Sequence, residues 1–375
     1  MMPRGPTVGP PRTLLGRLSR NVDWVIVVIT LSLLVLAFIN LNSAAPVSFS
    51  RRIVTQFGWC AVGVTAMFAV SLVDPRTLYT VAYAAYGVGV ALLVMVAFLG
   101  YTAKGAGRWL VIGSSRFQPS ELMKILLILA LARYLHGLPR HRHTPWRNLL
   151  QALSMVAVPV VLVVRQPDLG TGIFLSLVAL SMLAVTELRL KSLLAIGSSG
   201  VLALALMWRY GMLNYQRLRI DVWLDPELYA DDEGYQTIQA MISVGNGGFF
   251  GRGVGEGTQN VLRFLPERLT DFPFAIFAEE WGFVGCAVVL LLYASLVLWS
   301  LHLASRARDR FRALLAIGVG ALFFWHVVIN VGMVLQLFPV VGITLPFFSL
   351  GGSNLLTMLI ALGILMSVSR SRLPG

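Results

Sequence analysis

Ten stretches of mostly apolar residues, each near the length a helix needs to cross a bilayer, constrain this chain more than any other feature. They run at roughly 22–41, 53–73, 77–99, 119–136, 148–164, 170–187, 190–208, 272–300, 313–338 and 352–369. A spanning helix takes about 20 such residues. The stretches are too long and too evenly apolar for the alternating strands of a membrane barrel. Composition agrees: the 375 residues are 57% hydrophobic and 13% charged. A water-soluble surface carries about 25% charged residues. The expected fold is an all-α integral membrane protein of about ten transmembrane helices. A soluble globular domain and a disordered chain are excluded.

The net charge of +13 would point to nucleic acid in a soluble protein. Here the basic residues sit mainly in short loops, so membrane topology accounts for them and no nucleic-acid partner is expected. With the N-terminus inside, 17 basic residues, from Arg4 to Arg372, fall in inner segments, against 6 in short outer loops (Arg51, Arg52, Lys104, Arg108, Arg116 and Arg165). That excess puts both termini in the cytoplasm. The chain then divides into a basic cytoplasmic tail at 1–21, one polytopic membrane domain at 22–369 and a second cytoplasmic tail at 370–375. Residues 209–271 form a long extracytoplasmic loop between spans seven and eight. Ser43-Ala44-Ala45 loosely matches a signal-peptidase site, but the preceding apolar core is long for a signal sequence and nine spans follow. Cys60 and Cys286 lie in apolar runs and read as packing thiols, with no metal or disulfide framework.

The acidic residues are unevenly placed. Asp23, Asp74, Glu187 and Asp309 lie near the inner side, and the rest gather in outer loops or outer span ends. A scaffold has no need of that bias, which puts the chemistry or the ligand at the outer face. Five segments carry it. In Gln118-Pro-Ser-Glu-Leu-Met-Lys, Pro119 suits a first helical turn and Glu121 suits its positive end. Lys124 follows three residues later on the same face. Such charges entering a span pair or line a polar cavity, so they are either a structural ion pair or part of a substrate site. In Arg165-Gln-Pro-Asp-Leu-Gly-Thr, Pro167 stops the helix. Asp168 either caps the next span or works with Arg165 toward a phosphate.

The third segment is the long loop. Its 221–233 stretch is acidic and turn-rich, and 234–243 is amphipathic and expected to lie in the membrane interface. A run of glycines follows, among them Gly247, Gly248 and Gly253. It is either a flexible linker or a backbone that approaches a ligand closely. It lacks the G-K-[ST] of a nucleotide loop. The fourth segment is Leu265-Pro-Glu-Arg-Leu-Thr-Asp-Phe-Pro. Thr270 or Asp271 is the expected N-cap of span eight, with Pro273 in its first turn. Glu267 precedes it, and Glu279 and Glu280 lie two turns deeper, where at least one should face the bundle. The fifth, 339–354, has no charge and reads as a compact loop dipping into the membrane.

Together these segments resemble the SEDS family (shape, elongation, division and sporulation). The matching stretches are Gly107-Arg-Trp, Gln118-Pro-Ser-Glu-Leu-Met-Lys, Gln166-Pro-Asp-Leu-Gly-Thr, Gly234-Tyr-Gln, Gly247-Gly-Phe-Phe-Gly-Arg-Gly, Leu265-Pro-Glu-Arg-Leu-Thr-Asp-Phe with Glu279-Glu280, and Leu345-Pro-Phe-Phe-Ser-Leu-Gly-Gly. They stand in the family's order. Gln166-Pro-Asp-Leu-Gly-Thr, Gly257-Thr-Gln and Phe264-Leu-Pro-Glu are more similar to the RodA branch than to the FtsW branch. The resemblance implies a peptidoglycan glycosyltransferase that joins lipid II into glycan strands at the outer face of the bacterial plasma membrane during cell elongation. It also implies a class B penicillin-binding protein as crosslinking partner. The family's essential aspartate falls on Asp271, and its Glu/Lys pair falls on Glu121 and Lys124. Pro273 departs from the pattern, where an apolar residue is usual. So does Ser349-Leu-Gly-Gly-Ser-Asn, which replaces a version richer in Tyr and Ser.

On that resemblance the reaction is one inverting displacement of a lipid-linked diphosphate. Asp271 is the expected general base, with burial expected to raise its proton affinity. Lys124, Arg108, Arg217 and Arg263 are candidate cations for the diphosphate, with backbone N–H groups of Gly247, Gly248 and Gly253. Asp168, Glu267, Glu279 and Glu280 are supporting candidates. No metal cage is visible, so a divalent cation (Mg or Mn) would be shared with the diphosphate. The alternative is a flippase or transporter of lipid-linked precursor, which midplane charges and broken helices would mark. The partners expected are lipid II, membrane lipids and the penicillin-binding protein. The last is expected on spans eight and nine, with Trp281, Trp299 and Trp325 as anchors.

Overall fold

The structure is a computed structural model. It describes residues 22–45, 50–99, 101–103, 106–112, 115–139, 146–186, 197–198, 200, 202, 205–262 and 264–370. In chain order the elements are α1 (Trp24–Ala44), α2 (Ser50–Ser71), α3 (Pro75–Leu99), β1 (Tyr101–Ala103), β2 (Ala106–Ile112), β3 (Ser115–Phe117), α4 (Pro119–His136), α5 (Trp146–Arg165) and α6 (Leu169–Ala184). There follow α7 (Asn214–Leu224), α8 (Glu233–Gly247), α9 (Thr258–Val261), α10 (Pro273–Ser305), α11 (Arg310–Val334) and α12 (Gly352–Arg370).

Among the described residues, seven helices are long and apolar enough to cross a membrane: α1, α2, α3, α5, α10, α11 and α12. The other two that match expected spans are marginal for physical reasons. α4 carries Glu121, Lys124 and Arg133 in 18 residues. α6 has only 16 residues, or about 24 Å at 1.5 Å per residue, against a hydrocarbon core of about 30 Å. The expected span at 190–208 lies largely outside the described residues, as does the 1–21 tail. The helices divide by burial. α11 and α12 are mostly buried, whereas α2, α3, α5 and α10 turn most of their apolar surface outward. α12 packs on α2, α10 on α11, and α11 on both α4 and α6. Outward-facing Val54, Phe57, Val62 and Phe68 on α2 suit a lipid environment.

Three features depart from the sequence reading. A small antiparallel sheet, β1-β2-β3, joins α3 to α4. Ala103 pairs with Ala106 and Ile112 with Ser115. Second, the amphipathic stretch of the long loop belongs to α8, which packs against α10 and buries Thr237, Ala240 and Ser243. Third, α10 is broken at Gly282, which has φ 64° and ψ −165°, a region essentially reserved for glycine.

The uncharged 339–354 loop is compact and inward, as expected. Ile343, Leu345, Phe347, Phe348 and Ser349 are all buried. Both cysteines are unbridged and half-buried.

Candidate active site

Asp271 closes a turn that Glu267 organises. Glu267 takes φ 49°, and its carbonyl accepts the N–H groups of Thr270 and Asp271 at 3.0 Å each. Its carboxylate accepts the Thr270 hydroxyl at 2.9 Å. α10 then begins at Pro273, whose missing N–H costs nothing in a first turn. The expected cap by Thr270 or Asp271 is not formed: Phe272 is the N-cap, and no side chain caps the helix. The reason is local. A cap at Asp271 would accept the N–H groups two or three residues on, but Pro273 has none, and the half-buried carboxylate heads toward the 339–354 loop. Its Oδ2 lies 3.7 Å from where a Cβ on Gly342 would stand.

Glu121 and Lys124 pair as their spacing predicts. Lys124 Nζ donates to Glu121 Oε1 at 2.7 Å, and the lysine side chain is only 1% exposed. Two partners invisible in the local sequence complete the group. Asn354 Nδ2 donates to Glu121 Oε2 at 2.8 Å. His326 Nε2 lies 3.2 Å from Lys124 Nζ, and Nδ1 lies 2.8 Å from the Thr344 carbonyl. An ammonium only donates, so Nε2 accepts and the ring proton sits on Nδ1, donated to Thr344. Lys124 also stands 4.7 Å from the centre of the Phe174 ring. Sealed in this way, Lys124 is not presented to a diphosphate. The pair is a buried network within the bundle.

Asp168 caps α6, accepting the Thr171 N–H at 3.3 Å. Its cation is Arg108 rather than Arg165, at 3.8 Å. Arg108 comes from the unexpected sheet and also donates to the carbonyls of Gln166 and Pro167. Arg217 donates to the Trp208 carbonyl at 3.1 Å and lines neither of the cavities described next. Arg263 lies outside the described residues.

A cavity of about 160 Å³ opens between Arg108, Asp168, Tyr215, Arg219, Pro339 and Val341. A second, of about 180 Å³, shares Tyr215, Arg219 and Pro339. Both abut the 338–341 segment that leads into Gly342 beside Asp271. Sequence reasoning missed Arg219. The signal was present, because Tyr215, Arg219 and Val222 recur at helical spacing on one face of α7 and line one cavity together.

Much of the backbone of the glycine run is bonded to α10 rather than presented to a ligand. The N–H groups of Arg252 and Gly253 donate to the carbonyls of Glu279 and Glu280, each at 3.0 Å. The Gly248 and Phe249 carbonyls accept Phe283 and Val284 from beyond the break. Gly247 sits so close that a Cβ would stand 2.0 Å from the Ala278 carbonyl. The loop is stitched into the gap at Gly282. Glu279 accepts the Thr258 hydroxyl at 2.8 Å and the Gln259 N–H. Glu280 accepts Ser43 and Asn260. These two carboxylates therefore anchor the loop and the end of α1. Among the described residues no group of three or more His, Cys, Asp or Glu side chains is placed to hold a metal ion.

The indoles expected to anchor a partner are half-buried, and each also makes a contact within the bundle. Trp299 donates to Asp23 at 3.0 Å, Trp325 donates to Ser181 at 2.9 Å, and Trp281 stacks on Phe277. The outward face of α10 is instead Phe283, Val284, Val288, Leu291 and Leu298.

Comparison with known proteins shows the family. A family model described as the cell cycle protein family FtsW/RodA/SpoVE matches residues 20–373. The peptidoglycan glycosyltransferase MrdB of Escherichia coli K12 is 40% identical over 358 residues, 94% of each chain. Its Helicobacter pylori namesake is 32% identical, covering 93% of this chain and 90% of the relative. A chain from a peptidoglycan synthase complex, described as coordinating polymerization and crosslinking, superposes with a TM-score of 0.81 at 33% identity, covering 94% of this chain and 98% of that one. The rod shape determining protein RodA of Thermus thermophilus superposes with a TM-score of 0.72 at 31% identity, covering 97% and 100%. The chain belongs to the FtsW/RodA/SpoVE family.

Proposed function

We propose that this chain, a peptidoglycan glycosyltransferase in the membrane, polymerises lipid II at the outer face of the bacterial plasma membrane with Asp271 as general base. A sugar hydroxyl at C4 of one lipid-linked unit attacks C1 of another. Asp271 takes the hydroxyl proton as the new β-1,4 bond forms. The bond from C1 to the diphosphate breaks with inversion, and the diphosphate leaves with the electron pair. Arg108 and Arg219 lie along the cavity next to Gly342 and supply positive charge for that leaving group. A divalent cation in this reading would be shared with the diphosphate rather than held by a cage of protein ligands.

The observation that carries this reading is the position of the Asp271 carboxylate, beside Gly342 of the 339–354 loop, whose first residues line two cavities that also hold arginine. The reading also includes a class B penicillin-binding protein that crosslinks the strands and cytoplasmic N- and C-termini. The similarity to a chain of a peptidoglycan synthase complex supports the first, and the basic inner loops support the second.

The test is glycan polymer formed from lipid II by purified wild type and Asp271→Asn. Asparagine keeps the size but cannot take the proton, so polymerisation should fall at least about 10²-fold. A near-normal yield removes Asp271 from the chemistry. A variant that makes no polymer yet moves lipid II between leaflets revives the transport alternative.

A further inference from the structure

We infer that Asn330, backed by His326, is a positioning residue that sets the Asp271 carboxylate against the 339–354 loop. This rests on the reading of Asp271 as general base. Asn330 is fully buried on α11. Its two amide hydrogens go to different segments: Nδ2 donates to the Asp271 carbonyl at 3.0 Å and to the Ile343 carbonyl at 2.8 Å. One side chain thus ties the Asp271 turn to the residue that follows Gly342. His326 stands one turn away on the same face and holds the next carbonyl, Thr344, at 2.8 Å. Behind it, Lys124 and Glu121 fix the ring from α4.

The loop has further ties of its own. Leu350 N donates to the Leu269 carbonyl at 2.6 Å. Val341 N donates to Met333 Sδ at 3.1 Å, and Leu345 N to Ser349 Oγ at 2.8 Å. What these bonds hold in place is Gly342, with φ 74°, beside Asp271 Oδ2. Among the described residues the Asn330 Oδ1 makes no hydrogen bond, so the side chain contributes its two donors. Asn330 does not touch the reacting atoms. It acts through the backbone of Asp271 and of the loop, and a base displaced by about 1 Å loses up to about 10²-fold in rate.

The experiment uses the purified full-length protein and lipid II, with initial rates across lipid II concentrations and thermal unfolding as a check on folding. Asn330→Leu keeps the approximate volume and removes both donors. Its kcat should fall about tenfold to 10²-fold, with KM within about twofold. In an Asp271→Asn background it should subtract nothing further, because the group it positions is gone. A normal kcat, a loss carried by KM, or an undiminished further loss in the Asp271→Asn background overturns the inference. A near-normal Asp271→Asn overturns the general-base reading and this inference with it. An inactive Asp271→Asn beside a fully active Asn330→Leu overturns the inference alone. Should Asn330→Leu fail to fold, Gly342→Ala strains the same junction from the loop side and should lower kcat without raising KM. A normal kcat in that variant overturns the inference equally.

Discussion

Lys124 is a full charge with almost no access to solvent, and each of its neighbours answers it with the opposite polarity. Glu121 neutralises it, His326 accepts from it, and Phe174 offers a ring face. Removing one member of a buried ion pair leaves the other charge uncompensated, which costs about 3–5 kcal/mol. Glu121→Gln and Lys124→Met should therefore each lower the unfolding temperature in detergent markedly and cut polymerisation severely. Exchanging the two residues should rescue little. A lysine at 121 would meet the donating Asn354 amide, and a glutamate at 124 would meet the lone pair of His326. Single variants with wild-type stability and activity would refute this. The pair itself was legible, because three residues on a helix share a face. Its partners were not: His326 and Asn354 lie 202 and 233 residues away in sequence, and no local spacing links either to α4. Asp271 was legible as the acid at the mouth of a span, but its cap was misassigned because a cap needs N–H groups in the turn that follows, and Pro273 removes one of them.

At the scale of elements, the break in α10 explains the glycine run. A continuous helix would leave no backbone groups for the 247–253 loop to bond, whereas the break at Gly282 frees them, and the loop supplies their partners. A Cβ on Gly282 would stand 2.2 Å from the Gly251 nitrogen, in a backbone region closed to other residues. Gly282→Ala should destabilise by at least about 3 kcal/mol and open the loop to protease near 248–257. Gly245, in α8, has open space around its missing Cβ, so Gly245→Ala should be neutral or stabilising by up to about 1 kcal/mol. Thermal unfolding of the two variants reads both signs, and equal effects would sink the account. The sequence showed the glycines and the span but not their junction, since a single Gly inside a spanning helix is ordinary. The sheet that carries Arg108 was likewise missed, because its strands are short and stand between two strong helical signals.

For the whole molecule, the length of α10 separates the two chemistries of its ends. Its 33 residues would reach about 50 Å unbroken, and the part beyond Gly282 alone reaches about 34 Å, already more than a hydrocarbon core of about 30 Å. Asp271 and the turn holding Arg306, Arg308, Arg310 and Arg312 must then lie on opposite sides of the bilayer. On the proposed reading short loops rich in arginine stay in the cytoplasm, and Asp271 and both cavities would then lie outside, where a lipid-borne sugar chain would grow. Apolar spans and charge asymmetry carry that expectation, and labelling from each side tests it. In protein with Cys60 and Cys286 replaced by alanine, Asp231→Cys in the long loop should react with a membrane-impermeant maleimide on intact spheroplasts. Arg308→Cys should react only after the membrane is opened. The reverse pattern would put Asp271 in the cytoplasm, and no general base there could serve polymerisation at the outer face.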